Sequence, residues 1–144
     1  MRTIAAIVIA ASLVGCATNT TAPSQAVTAQ PHRIYWDNAT GDSYAIKITR
    51  DTGLMGSLCM TRIAVNGKNA ADLNQGESVV FKVPTGKHVL SAWQISGGTS
   101  SGRTFCDGNP MRLEVNVSGI SGDNIAYRYS YGGSGFPSLT VTSF

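Results

Sequence analysis

Through most of this chain every second residue is apolar, and a period of two admits little except strands with one dry and one wet face. Tyr44, Ile46 and Ile48 alternate with Ala45, Lys47 and Thr49, and Cys59, Thr61, Ile63 and Val65 alternate with Met60, Arg62 and Ala64. Val79, Phe81 and Val83 share a face, as do Leu113, Val115 and Val117, then Ile125, Tyr127, Tyr129 and Tyr131, then Leu139 and Val141. Lys87 to Ile95 is apolar on both sides, with Leu90 and Ala92 opposed to Val89, Trp93 and Ile95, so it reads as a central strand whose faces the pattern leaves unassigned. Asn66-Gly67 is a strong two-residue hairpin signal, and Pro84-Thr85-Gly86 marks a tight turn. Loops are expected at Gly53 to Gly56, Ser96 to Gly102, Ser118 to Asp123 and Gly132 to Gly135. Sixteen glycines and only 13% charged residues fit strands and turns better than helices. The expectation is an all-β fold, a single antiparallel β-sandwich of about seven strands with Greek-key connections, occupying residues 33–144 as one domain.

The start of the chain follows a different rule. Met1-Arg2-Thr3 carries one positive charge, and Ile4 to Val14 is an apolar or small-residue run that closes in Leu13-Val14-Gly15-Cys16. The run is shorter than the roughly 20 apolar residues a spanning helix needs. The four residues resemble a lipobox position by position. That resemblance implies a bacterial secretory signal peptide over residues 1–15, cleaved before Cys16, with a diacylglyceryl thioether on the Cys16 sulfur and fatty acyl chains such as palmitate. Ala17 stands where an Asp would retain the product at the inner membrane, so the resemblance implies the outer membrane. Acyl chains contribute ~0.8 kcal/mol per buried methylene, and two or more chains anchor stably. Residues 16–32, beginning with the lipidated cysteine, hold no formal charge and one large aliphatic, Val27, so a flexible tether of roughly 20 Å reach is expected.

With Cys16 acylated, Cys59 and Cys106 are the remaining cysteines, and export exposes them to an oxidising compartment. A metal site would need further Cys or His nearby, and the two histidines are His32 and His88. A disulfide is therefore expected, worth roughly 4 kcal/mol on the chain-entropy account.

Ala64-Val65-Asn66-Gly67-Lys68, then Gly76-Glu77, then Val83-Pro84-Thr85-Gly86-Lys87-His88-Val89-Leu90 resemble the core hairpins of small uncharacterised proteobacterial lipoproteins. Their immunoglobulin-like sandwich is similar to bacterial surface-layer modules named for a Pro-Glu-Gly-Ala (PEGA) motif. The likeness runs over residues 44–117, with Thr85 and Lys87 departing from the motif's second and fourth positions. It implies a sandwich fold in the envelope and no particular activity.

For chemistry, His88 is the base candidate within the domain, and no Ser lies in a Gly-x-Ser-x-Gly setting. Asp37, Asp42, Asp51, Asp72, Asp107 and Asp123 lie near turn residues, where short carboxylates cap backbone N–H groups. Asp37 to Asp42 has spaced oxygen ligands but lacks the bidentate Glu of a helix-loop-helix calcium site. Gly132 to Gly135 precedes no helix and is not a phosphate cradle. Basic residues are scattered, so no nucleic-acid partner is expected, nor a metal or cofactor. Tyr127, Tyr129 and Tyr131, extended by Trp36 and Phe136, are the candidate binding surface if the stripe is exposed; otherwise the tyrosines line the interior. The functional expectation is a non-enzymatic, membrane-anchored structural or protein-interaction module. The competing reading is a glycan-, peptidoglycan- or hydrolase-binding lipoprotein that uses loops and aromatics. Because the thioether requires the Cys16 sulfur, Cys16→Ser should abolish incorporation of labelled palmitate, which surviving label would refute.

Overall fold

The computed structural model describes residues 19–97, 106 and 110–143, so the lipobox Leu13, Val14, Gly15 and Cys16 lies outside the described residues. Nine strands are assigned: β1 (Val27–Thr28), β2 (Ser43–Arg50), β3 (Cys59–Val65), β4 (Lys68–Leu73), β5 (Glu77–Pro84), β6 (Gly86–Ser96), β7 (Leu113–Gly119), β8 (Asn124–Tyr131) and β9 (Pro137–Thr142). They form two sheets, in the orders β1-β5-β2-β8-β9 and β4-β3-β6-β7. The dry faces predicted by alternation point at one another. Tyr44, Ile46, Ile48, Val79, Phe81 and Val83 from one sheet meet Ile63, Val65, Leu73, Leu90, Ala92 and Val117 from the other, nearly all with no exposed surface. The undecided faces of β6 resolve accordingly. Leu90 and Ala92 point inward, and Trp93 points outward, where the Arg112 guanidinium lies 4.5 Å above its ring.

The expected architecture is corrected in three respects. The five-stranded sheet is mixed, because β2 runs parallel to β8 and β1 parallel to β5; the four-stranded sheet is antiparallel throughout. The turn at Pro84-Thr85-Gly86 does not close a hairpin. It is a corner at which the chain leaves one sheet for the other, since β5 pairs with β1 and β2 while β6 pairs with β3 and β7. Lastly, β4 and β1 carry no alternation to announce them. In β4 Ala70, Ala71, Asp72 and Leu73 are all buried, and a register irregularity opposite Ile63 and Ala64 breaks the period. The Asn66-Gly67 hairpin is present as read, with φ of 49° and 79° joining β3 to β4 in the left-handed region that such a turn demands.

The flexible tether expected over 16–32 is likewise corrected from Asn19 onward. Asn19 and Thr52 exchange backbone hydrogen bonds, the Thr21 N–H donates to Asp51 Oδ1 at 2.9 Å, and the Lys47 ammonium reaches the Pro23 carbonyl. Val27 and Ala29 then add a short parallel strand to the edge of β5. A single 3₁₀ turn at Pro31–Arg33 comes next. The Arg33 guanidinium makes a two-pronged bond to Glu77, both contacts at 2.6 Å, and a third to the Asp72 carbonyl. Ile34, Tyr35 and Trp36 cover the free edge of β4 through bonds to Ala70 and a bridge to Ala71. Apolar composition misjudged this segment because backbone pairing and charge, more than apolar area, hold it down.

Burial alone would raise the Glu77 carboxyl, but the Arg33 guanidinium and bonds from Asn74 together outweigh that and hold it below the usual carboxylate range. Arg33→Ala leaves this shielded carboxylate unmatched. It should cost about 2 kcal/mol in urea unfolding and accelerate hydrogen exchange at Val27 and Ala29. Unchanged exchange at those amides would mean that Arg33 does not hold the segment.

Candidate functional site

Four connections meet at one end of the sandwich: residues 51–58 between β2 and β3, 74–76 between β4 and β5, the β6–β7 connection at Cys106, and 132–136 between β8 and β9. What holds this end begins with the register of β2. Arg50 continues the inward row of Tyr44, Ile46 and Ile48, and its side chain is almost completely buried. Its guanidinium donates to the carbonyls of Cys59 at 2.7 Å, Leu73 at 2.8 Å and Gly56 at 2.8 Å. Burial pulls the pKa of Arg50 below its ordinary value, though an arginine stays charged at physiological pH. Tyr129 stands beside it in the parallel β8, and the Tyr129 and Tyr131 hydroxyls lie 3.2 Å apart with their rings edge to face.

The loops are then locked to one another. Cys59 and Cys106 are joined by a disulfide across 47 residues, with Cα atoms 5.7 Å apart. Gly56 has φ +70°, a conformation that strains any residue with a side chain, and a Cβ there would press on Gln94 Nε2 and come within 3.0 Å of the Tyr131 ring. A Cβ on Gly135 would come within 3.3 Å of Met55, which places the 132–136 loop against the 51–58 loop. Gln75 clamps Gly53 through both its amide oxygen and its amide nitrogen. On this fixed frame Leu54 is 73% exposed, Leu58 65%, Phe136 62% and Met55 43%. Neither residues 52–58 nor 132–136 include a charged side chain.

The sequence-predicted binding surface is not brought together. Tyr127, Tyr129 and Tyr131 are buried, so the stripe lines the interior and offers no exposed stacking surface. Period two identified the common face but could not say which face was outside. Trp36 is half-buried, its indole N–H bonded to the Lys82 carbonyl, with Phe81 and the Lys68 ammonium against its ring. Lys82 pairs with Ala45 and Tyr129 with Arg50, so Trp36 and the tyrosine end are separated by five residues of β2, roughly 17 Å. Of the five aromatics only Phe136 belongs to the loop end and is open to solvent.

His88 has both ring nitrogens engaged. Nε2 lies 2.8 Å from the Pro84 carbonyl, to which it must donate, and Nδ1 accepts from the Asn66 amide at 2.9 Å. Two of the expected turn-capping carboxylates do other work. Asp72, in a strand, is gripped by Arg62 and by the Tyr35 hydroxyl, and Asp51 is buried against the Thr21 amide with Arg128 3.3 Å away. Asp123 does cap, accepting from the Ile120 N–H; Asp107 lies outside the described residues. Among the described residues no group of three or more His, Cys, Asp or Glu could hold a metal. The sequence pattern did not mark Arg50, Gln94 or the apolar Leu54, Met55 and Leu58, whereas Phe136 was among the expected residues. Only Arg50 carried a signal, its place in the inward register. No family model, curated protein or solved structure matches this chain.

Burial pushes the Tyr129 phenol far above its ordinary pKa of 10.0 and also raises Tyr131, Tyr127 and Tyr44. A phenol that resists ionisation only when folded favours the fold below the ordinary phenol value, and that contribution drains away as the pH climbs past it. Urea stability should therefore decline between roughly pH 9 and roughly pH 11. The decline should be shallower in Tyr129→Phe; identical alkaline slopes in the two proteins would contradict the burial of this phenol.

Proposed function

We propose that this chain is a lipid-anchored protein of the bacterial envelope, carried at the outer membrane, whose immunoglobulin-like or PEGA-like sandwich serves as a non-enzymatic structural or protein-interaction module. The observation that carries the reading is the pairing of Cys59 with Cys106. The chain has three cysteines, so that bond leaves Cys16, the last residue of Leu13-Val14-Gly15-Cys16, as the one available for acylation. A stable disulfide also suits an exported domain and not a reducing cytoplasm.

The interaction role is supported by how the polar side chains are used. Glu77, Asp72 and Asp51 are bound to arginines or to backbone N–H groups, and His88 is held between two turns. Groups committed in this way hold the fold and are poorly placed to move protons for a substrate. The exposed, uncharged segments 52–58 and 132–136 are the surface left for contact.

The purified chain is expected to hydrolyse no peptidoglycan, ester or peptide substrate, and His88→Ala should alter melting temperature alone. Photo-crosslinkers at Leu58 and Phe136 in intact envelopes should capture lipid or protein neighbours. Turnover that disappears with His88→Ala would replace this reading with an enzymatic one.

A further inference from the structure

The loop end also holds Asn19, three residues after Cys16. Asn19 is bridged there to Thr52, just beyond the end of β2, by two backbone hydrogen bonds and a third from the Thr52 hydroxyl. Cys16 precedes it by three residues, a contour of at most ~11 Å. Leu54 lies two residues beyond Thr52, within ~7 Å by the same measure. A lipid on Cys16 therefore cannot be far from Leu54, whichever way the intervening residues turn.

We propose that the loop end of the sandwich rests on the lipid surface, with Leu54, Leu58 and Phe136 set into the interfacial layer beside the anchor. The proposal rests on the lipid-anchor reading of Cys16. The interface into which apolar side chains sink is ~5–10 Å deep, comparable to the length of the leash, so the domain has no room to float free. The composition of the contact suits lipid. Leu54, Met55, Leu58 and Phe136 project from residues 52–58 and 132–136, which carry no charge, and Asp51 beside them is buried, so these two segments bring no exposed ion to be stripped of water. The opposite end differs in position. The β7–β8 turn, with Ile120 at 72% exposure, lies by Gly119, which pairs with Gly86 at the start of the eleven-residue β6, while β6 ends at Ser96 opposite Cys59. Strand rise puts the two ends roughly 33 Å apart.

The test uses the full acylated chain, extracted from a bacterial host and reconstituted into phosphatidylethanolamine and phosphatidylglycerol vesicles containing a phosphatidylcholine brominated in mid-chain. Leu54→Trp, Phe136→Trp and Ile120→Trp each add one tryptophan at an already exposed position, with the unsubstituted chain giving the background from Trp36 and Trp93. The proposal expects most of the added emission to be quenched in the first two variants and essentially none in Ile120→Trp. Unquenched Leu54→Trp and Phe136→Trp in protein that floats with the vesicles overturns the proposal and leaves the anchor standing. Preferential quenching of Ile120→Trp would invert the orientation and overturn it equally. Protein that takes up no palmitate and does not float removes the anchor itself and the proposal with it.

Discussion

A single guanidinium, that of Arg50, joins the parts of this structure that would otherwise be independent. Arg50 ends β2, the middle strand of the five-stranded sheet, and its hydrogen bonds reach the first residue of β3, the last residue of β4 and the loop at Gly56. Both sheets and the β2–β3 connection thus share one donor. A buried charge is costly, and no carboxylate bonds to this one among the described residues; the compensation is three carbonyl dipoles and the neighbouring phenols. Its geometric consequence matters more than its net energy. A carbonyl at a strand end must find a donor or meet water, and three of them find the same one, so the ends of β3 and β4 are fixed relative to β2.

Around that centre, ion pairs decide which edges of the sandwich are closed. The Arg33–Glu77 pair is shielded on both sides, as is Asp72 in the grip of Arg62. Shielded pairs of this kind add little over an apolar alternative but penalise any arrangement that separates them. Here they hold the chain between Asn19 and Trp36 along β5 and then across the edge of β4, two edges that would otherwise present unpaired backbone. The opposite edges are protected differently. Glu114 of β7 pairs with Arg112 just before the strand, whereas β9 has no charged residue and exposes Val141.

How much of the fold was legible depends on the range of each interaction. Alternation located β2, β3, β5, β7, β8 and β9, and a two-sided apolar run located β6, because burial is a local property of sequence; Asn66-Gly67 announced its hairpin because only a few residues tolerate positive φ. The disulfide came from counting cysteines. Sheet membership was not legible, since the inward rows of β5 and β6 look the same whether they pair or face each other, and Pro84-Thr85-Gly86 turns the chain in either case. β4 was hidden because its outward Asp72 is buried under Tyr35 and Arg62, which removes the polar half of the pattern. The tyrosine stripe was legible as a face but not as inside or outside, because a phenol suits a wet rim as well as a buried one; it lies inside. The loop end could not be read because its parts, Gly56, Gln94, Tyr131 and Gly135, are distant in sequence and meet only in the fold.

Recognition loops on sandwiches are ordinarily the soft part of the molecule, and ordering them on contact opposes binding. At this end the ordering is already done. The disulfide, the Gln75 clamp on Gly53, the Arg50 bond to Gly56 and the backbone bonds Gly132 N–H to Phe136 and Gly135 N–H to Gly132 each remove freedom from the segments that carry Leu54, Leu58 and Phe136. Apolar side chains on a frame fixed in this way lose little entropy when a surface covers them, so even a small contact area retains most of its hydrophobic gain. A lipid surface sets no demand for shape complementarity, and a second attachment beside an anchor needs little affinity because it acts at high effective concentration. The cost of fixing these loops therefore falls on folding, where the disulfide and the buried arginine offset it, and the contact itself can remain small.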